Sequence, residues 1–179
     1  MIDINSYPIF LENITTLKET SRSNPDGKTE TFLTESQLQV VNFDKVKEEY
    51  VRPLGLPEQP FSNDALYMDG DGNLTFIEFK DGFTKEYDIR RKCFDSLLIF
   101  TGIIDRGTCF TRENMDYILV YAPEKNEKSK DKISTYFSKK GGRELIKFRL
   151  GVFENYCFKE VHTYTPEEFE EKFVKKHEH

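Results

Sequence analysis

Two short apolar runs, Ala65-Leu66-Tyr67-Met68 and Leu74-Thr75-Phe76-Ile77-Glu78-Phe79, are separated by Asp69-Gly70-Asp71-Gly72-Asn73. The five intervening residues tolerate positive φ, so the pattern predicts two strands joined by a tight turn. Late in the second strand apolar and charged positions alternate. With Ile77 and Phe79 on one face, Glu78 and Lys80 fall on the other. Asp81-Gly82 turns the chain out of this strand, and Glu86 to Thr101 then reads as a helix. Its apolar stripe is Ile89, Cys93, Leu97 and Phe100, widened by Phe94 and Leu98, and Gly102 closes it. Met115 to Ala122 is a continuous apolar run ended by Pro123, the signature of a buried strand.

The flanks are read with the same periods. Tyr7 to Leu11 marks a docking segment or helix start, and Thr20 to Thr31 a polar loop with a turn at Asn24-Pro25-Asp26-Gly27. Thr34 and Gln37 have capping-box spacing. Leu38, Val41, Phe43, Val46, Tyr50 and Val51 follow at helical spacing, predicting a helix with a break near Asn42-Phe43-Asp44, stopped by Pro53 and Gly55. Downstream, Glu124 to Lys132 is a charged loop and Ile133 to Gly141 a short helix. Leu145 to Phe153 and Tyr156 to Thr163 read as strands. Thr165-Pro166-Glu167-Glu168 opens a last helix, with Phe169 and Phe173 one turn apart as its anchors. The resulting order is that of a single α/β domain over 1–179, with a central mixed sheet flanked by helices.

Composition narrows the function classes. The chain has 179 residues, 37% hydrophobic, with 16 Phe, 9 Tyr and no Trp, enough for one substantial core. No apolar run of membrane-spanning length occurs, and no basic segment of secretory type precedes Leu11. Cys93, Cys109 and Cys157 are odd in number and widely spaced, pointing to reduced thiols in a cytoplasmic protein and away from a disulfide framework or zinc site. The formal charge of −6 argues against a binder that relies on a uniformly basic surface. The basic residues nonetheless cluster, at Arg90-Arg91-Lys92, Lys128 to Lys132, Lys139-Lys140 and Arg143 to Arg149. A local basic face is therefore compatible with the acidic total.

The chemistry concentrates at the hairpin. Asp64 opens its first strand and Glu78-Phe79-Lys80 closes its second, so a pairing that brings Asp64 beside Glu78 creates a hard-oxygen site suited to Mg²⁺ or Mn²⁺. Asp64 followed, after a hairpin, by Glu78-Phe79-Lys80 resembles the PD-(D/E)XK nuclease superfamily. Asn63 stands where that signature has its proline. The resemblance covers about 44–122 and implies a restriction-endonuclease-like fold. It implies Asp64, Glu78 and Lys80 as catalytic residues, with Asp64, Glu78 and the Phe79 carbonyl as metal ligands. In that family the preceding helix often adds an acid, for which Glu48 is the choice here. The following helix often adds a polar residue, for which Arg91 and Lys92 are the candidates. The competing expectation for Lys92 is an ordinary surface ion pair with Asp95.

These readings converge on a metal-dependent nuclease acting on nucleic acid, DNA preferred, with Lys80 orienting the attacking water. The alternative is a catalytically inactive binding protein on the same fold, of the immunity or antitoxin type, for which the acidic charge suits a basic protein partner. A protein partner or homodimer fits either reading; a membrane does not. His162 is read as structural.

Overall fold

The computed structural model describes residues 2–24, 27, 29–126 and 145–178. Its centre is a six-stranded mixed sheet whose strands lie side by side in chain order. They are β1 (Ile14–Thr16), β2 (Gln39–Asn42), β3 (Ala65–Met68), β4 (Leu74–Lys80), β5 (Met115–Tyr121) and β6 (Val161–Tyr164). The first four pair antiparallel; β4 with β5 and β5 with β6 pair parallel. The parallel step needs a long crossover. Helices α2 (Glu86–Ile104) and α3 (Thr108–Asn114) supply it between β4 and β5.

Helix α1 (Phe43–Val51) follows β2 directly, with the Asn42 side chain accepting from the Lys45 amide as its N-cap. The helical spacing predicted from Leu38 onward is thus half right. Val40 and Val41 are buried in a strand paired with β1 and β3, and the helix begins only at Phe43. Thr34 caps no helix; its hydroxyl accepts from the Ser36 amide in a loop. Strand pairing, a contact from elsewhere in the chain, overrides the local period here.

Two apolar layers cover the sheet. On one face Phe43, Val46, Phe76, Ile89, Cys93, Phe100, Leu119 and Phe158 pack together, with the Phe76 ring edge-on to Phe43 and Phe100. On the other, Ala65, Ile77, Phe79, Val120 and Tyr164 pack against Phe169 and Phe173 of a C-terminal helical run. That run opens with the predicted capping box. Thr165 accepts from the Glu168 amide, and the Glu168 carboxylate accepts from the Thr165 amide.

Helix α2 passes through Gly102 and ends at Asp105, whose φ of 52° makes the left-handed cap. Gly102 is needed for a different reason than termination. A Cβ there would come within 2.5 Å of the Tyr50 hydroxyl, so the missing side chain is what lets α1 lie close against α2 at this point. Phe94 and Leu98, expected to widen the buried stripe, are exposed. Leu145 to Phe153 is no strand: 150–153 form a 3₁₀ turn, and β6 begins only at Val161. The helix expected at Ile133 to Gly141 lies outside the described residues. So do Lys128 to Lys132, Lys139, Lys140 and Arg143 of the expected basic face.

Candidate active site

The turn that sets the hairpin register is built from its own side chains. Asp69 accepts from the amides of Asp71 and Asn73, and Gly72 takes a φ of 79° that a β-carbon would strain. The register pairs Ala65 with Ile77 and Leu66 with Phe76. Continued one residue outward, it sets Asp64 opposite Glu78. On β4, Leu74 and Phe76 point into the layer under α2, and Glu78 and Lys80 follow them at the same two-residue period.

Three of the sequence-predicted residues therefore converge, and α2 adds a fourth. Glu78 is 0% exposed, and its Oε1 lies 2.7 Å from Lys80 Nζ and 2.8 Å from Lys92 Nζ. Lys92 also reaches Asp64 Oδ1 at 3.2 Å, so its ammonium bridges the two carboxylates. Asp64 Oδ2 accepts from the Phe79 amide at 2.6 Å. Glu78 Oε2 has no hydrogen-bond partner among the described residues. Two carboxylates and two ammoniums sum to zero when all are ionised.

The helix also fixes the strand that carries Asp64. Ser96 accepts from the Asn63 amide at 2.7 Å, and Asp95 accepts from the Phe61 amide at 2.8 Å. Lys92, Asp95 and Ser96 share one helix face, and all three engage 61–64 or its strand partner. Asp95 thus serves the backbone, and the expected Lys92–Asp95 ion pair gives way to the bridge onto Asp64 and Glu78.

Electrostatics at this point are strained in one direction. Burial, followed by the neighbouring Glu78 charge, pushes the Asp64 carboxyl up from 3.8 to about 7, against the pull of Lys92, Lys80 and the Phe79 amide. Burial opposes the Lys92 charge, but Glu78 and Asp64 outweigh it and hold that ammonium above the ordinary lysine range. Tyr117, fully buried on β5, has no hydrogen-bond partner for its hydroxyl among the described residues. Burial first, then Glu78, Cys93 and Asp64, raise its pKa.

Glu48 is not part of this cluster. It is exposed on α1 and lines a groove with Lys47, Arg52 and Gln59. The acid of α1 that acts on Lys92 is Asp44, one turn nearer the hairpin, whose Oδ1 accepts from the Ser62 hydroxyl at 2.5 Å. Arg91 is exposed, with its guanidinium 4.2 Å over the Phe61 ring. Among the described residues no group of three or more His, Cys, Asp or Glu converges as a ligand set. A groove of about 1040 Å³ between 32–39 and the C-terminal helical run contains none of the four site residues.

Sequence reasoning underrates Lys92 and misses Asp44 and Tyr117. Lys92 has a usable signal, since the helical period puts it on the face that turns toward the hairpin. Tyr117 sits inside an apolar run with nothing to separate it from core. Among the described residues no helix is long and apolar enough to cross a membrane. No protein-family model, no curated protein and no solved structure matches this chain.

Proposed function

We propose that this chain is a metal-dependent nuclease on a restriction-endonuclease-like fold, hydrolysing phosphodiester bonds of nucleic acid, DNA preferred, in the cytoplasm. The observation that carries the reading is the convergence of Asp64, Glu78 and Lys80 from two paired strands, with Glu78 wholly buried. A wholly buried carboxylate beside a second one whose pKa is strongly raised is an arrangement characteristic of functional sites.

The donor set fits a hard divalent ion. Mg²⁺ or Mn²⁺ is held by one or two carboxylates plus waters and phosphate oxygens. Here Asp64 and Glu78 would hold it, with the Phe79 carbonyl as a further ligand, and Glu78 Oε2 has lone pairs that no described donor takes. Such an ion, when bound, acidifies its water and offsets charge on the attacked phosphate. Lys80 would orient the attacking water while paired with Glu78. Lys92 and Lys80 would place positive charge beside the carboxylates and pull the Asp64 pKa down, against the burial and the Glu78 charge that raise it.

Melting curves of wild type and Glu78→Gln, each with and without millimolar Mg²⁺ or Mn²⁺, test this. An ion present at a hundred times its Kd stabilises the wild type by about 2.7 kcal/mol. Glu78→Gln should show little of that gain, because an amide lacks the charge to hold a hard ion. A wild type indifferent to both metals would reject the enzyme. One observation favours the catalytically inactive binding protein instead: Lys92 already spans the two carboxylates and neutralises the cluster without a metal.

A further inference from the structure

Helix α2 carries apolar residues on two sides, and only one side is covered. Ile89, Cys93, Leu97, Phe100 and Ile104 face the sheet. Tyr87, Arg91, Phe94 and Leu98 recur at spacings of four, three and four, which lines them up along about 16 Å of the opposite side. All four are exposed, Tyr87 at 71% and Leu98 at 73%. One loop aromatic, Phe61, joins this surface through Arg91, and a second, Phe83 on the loop that leads into α2, is 69% exposed. Phe61 is three residues before Asp64 and Phe83 three residues after Lys80, so both segments that deliver site charges also present a ring. Exposed aromatic and aliphatic side chains aligned along one side of a helix mark a binding face.

The chemistry of its cations identifies the occupant. Arg91 lies 4.2 Å over the Phe61 ring, and Arg90 lies 5.6 Å over Phe153, whose ring is edge-on to Phe94 at 5.2 Å. No carboxylate pairs with Arg91 among the described ion pairs. A guanidinium held over an aromatic ring puts positive charge and a planar group beside a π face. Nucleobases stack on such surfaces whatever their identity, provided they are not already stacked in a duplex. A chain of net charge −6 has little general attraction for phosphate, and stacking on this face is open to a single strand and withheld from a duplex. We infer that this face is a stacking platform for single-stranded nucleic acid beside the Asp64–Glu78 site, and that single strands are the substrate class. The inference rests on the nuclease reading.

Binding measured in EDTA separates the two claims, because no cleavage is needed. A fluorescein-labelled single-stranded 20-mer and its duplex are titrated and followed by anisotropy. The single strand should bind roughly tenfold or more tightly than the duplex. Base–aromatic stacking is worth about 1–3 kcal/mol per base, so Phe61→Ala, Phe83→Ala and Tyr87→Ala should each weaken single-strand binding roughly 5- to 150-fold. Arg91→Lys should weaken it as Arg91→Ala does, since an ammonium keeps the charge and loses the plane. Unchanged melting temperatures would show that these exposed substitutions leave the fold intact. Equal affinity for both polymers, or variants that bind like wild type, would overturn the platform. So would a wild-type dimer, seen by sedimentation, that Phe94→Asp and Leu98→Asp convert to monomer without altering single-strand binding, because the face would then join two copies. Single-strand binding that depends on Phe61, with no cleavage in any metal, would uphold the platform and reject the nuclease. Duplex and single strand cleaved at equal rates would do the reverse.

Discussion

Replacing Asp64 with asparagine tests the electrostatics of the site without touching its backbone. The substitution keeps an oxygen to accept from the Phe79 amide and removes the ionisation that burial and Glu78 oppose. The wild-type carboxyl has a folded pKa of about 7 against 3.8 unfolded, so folding favours its protonated form. Below about pH 4 both states are protonated and there is no penalty. Between pH 4 and 7 the unfolded chain releases its proton first and wild-type stability falls. Above pH 7 the penalty is complete, on the order of 4 kcal/mol if the whole shift applies. The Asp64→Asn protein carries no such penalty, though its amide faces Lys92, a cost largely the same at every pH. The informative quantity is therefore the change in the mutant–wild-type difference between pH 5 and pH 8. Allowing for the 15% exposure of the Asp64 side chain, that change is roughly 2 kcal/mol in favour of the mutant, or about 4–8 °C in Tm. Calorimetric melting of both proteins across this range measures it. A difference that stays flat with pH would refute the claim that Asp64 is ionised under strain.

Other consequences follow from the same geometry. Glu78→Gln should lower metal-free stability by about 3 kcal/mol, because Lys80 and Lys92 both rest on that carboxylate and a broken buried pair leaves charge uncompensated; urea unfolding in EDTA checks it. Divalent-metal binding should release close to one proton at pH 6 and far less at pH 8, as Asp64 must ionise to coordinate. Calorimetry in two buffers of different ionisation enthalpy counts that proton. Gly102→Ala should cost about 1–3 kcal/mol by pressing its methyl against the Tyr50 hydroxyl, and Tyr50→Phe in the same chain should recover part of the loss.

The hairpin, α2 and β5 are legible in the sequence because local chemistry decides them. Asp69, Gly72 and Asn73 specify the turn, the 3.6 period specifies the helix, and a run ending at Pro123 specifies the strand. From the turn alone the register follows, and with it the meeting of Asp64 and Glu78. What is not legible depends on contacts made from afar. β2 reads as helix until β1 and β3 pair with it. Lys92 reads as a surface partner of Asp95 until Asp95 is seen to hold the Phe61 amide. From sequence, Asp64 and Glu78 are expected to repel each other in the absence of metal, which makes Glu78→Gln neutral or stabilising. With Lys80 and Lys92 both resting on Glu78, the structure leads to the opposite expectation, a loss of stability. Hydrophobicity alone assigns Phe94 and Leu98 to the core, a rule that does not work in the outward direction, since an apolar residue can remain exposed.

The most direct test of the nuclease is a cleavage time course with end-labelled single-stranded DNA and supercoiled plasmid, using wild type and Lys80→Ala in Mg²⁺, Mn²⁺ or EDTA. The ammonium of Lys80 touches the buried Glu78 carboxylate, yet the side chain is a quarter exposed and contributes little to packing. Wild type should cleave in metal and not in EDTA, and Lys80→Ala, still folded by circular dichroism, should lose at least about a hundredfold in rate. Undiminished cleavage by Lys80→Ala, or no cleavage by wild type in either metal, would contradict the nuclease reading.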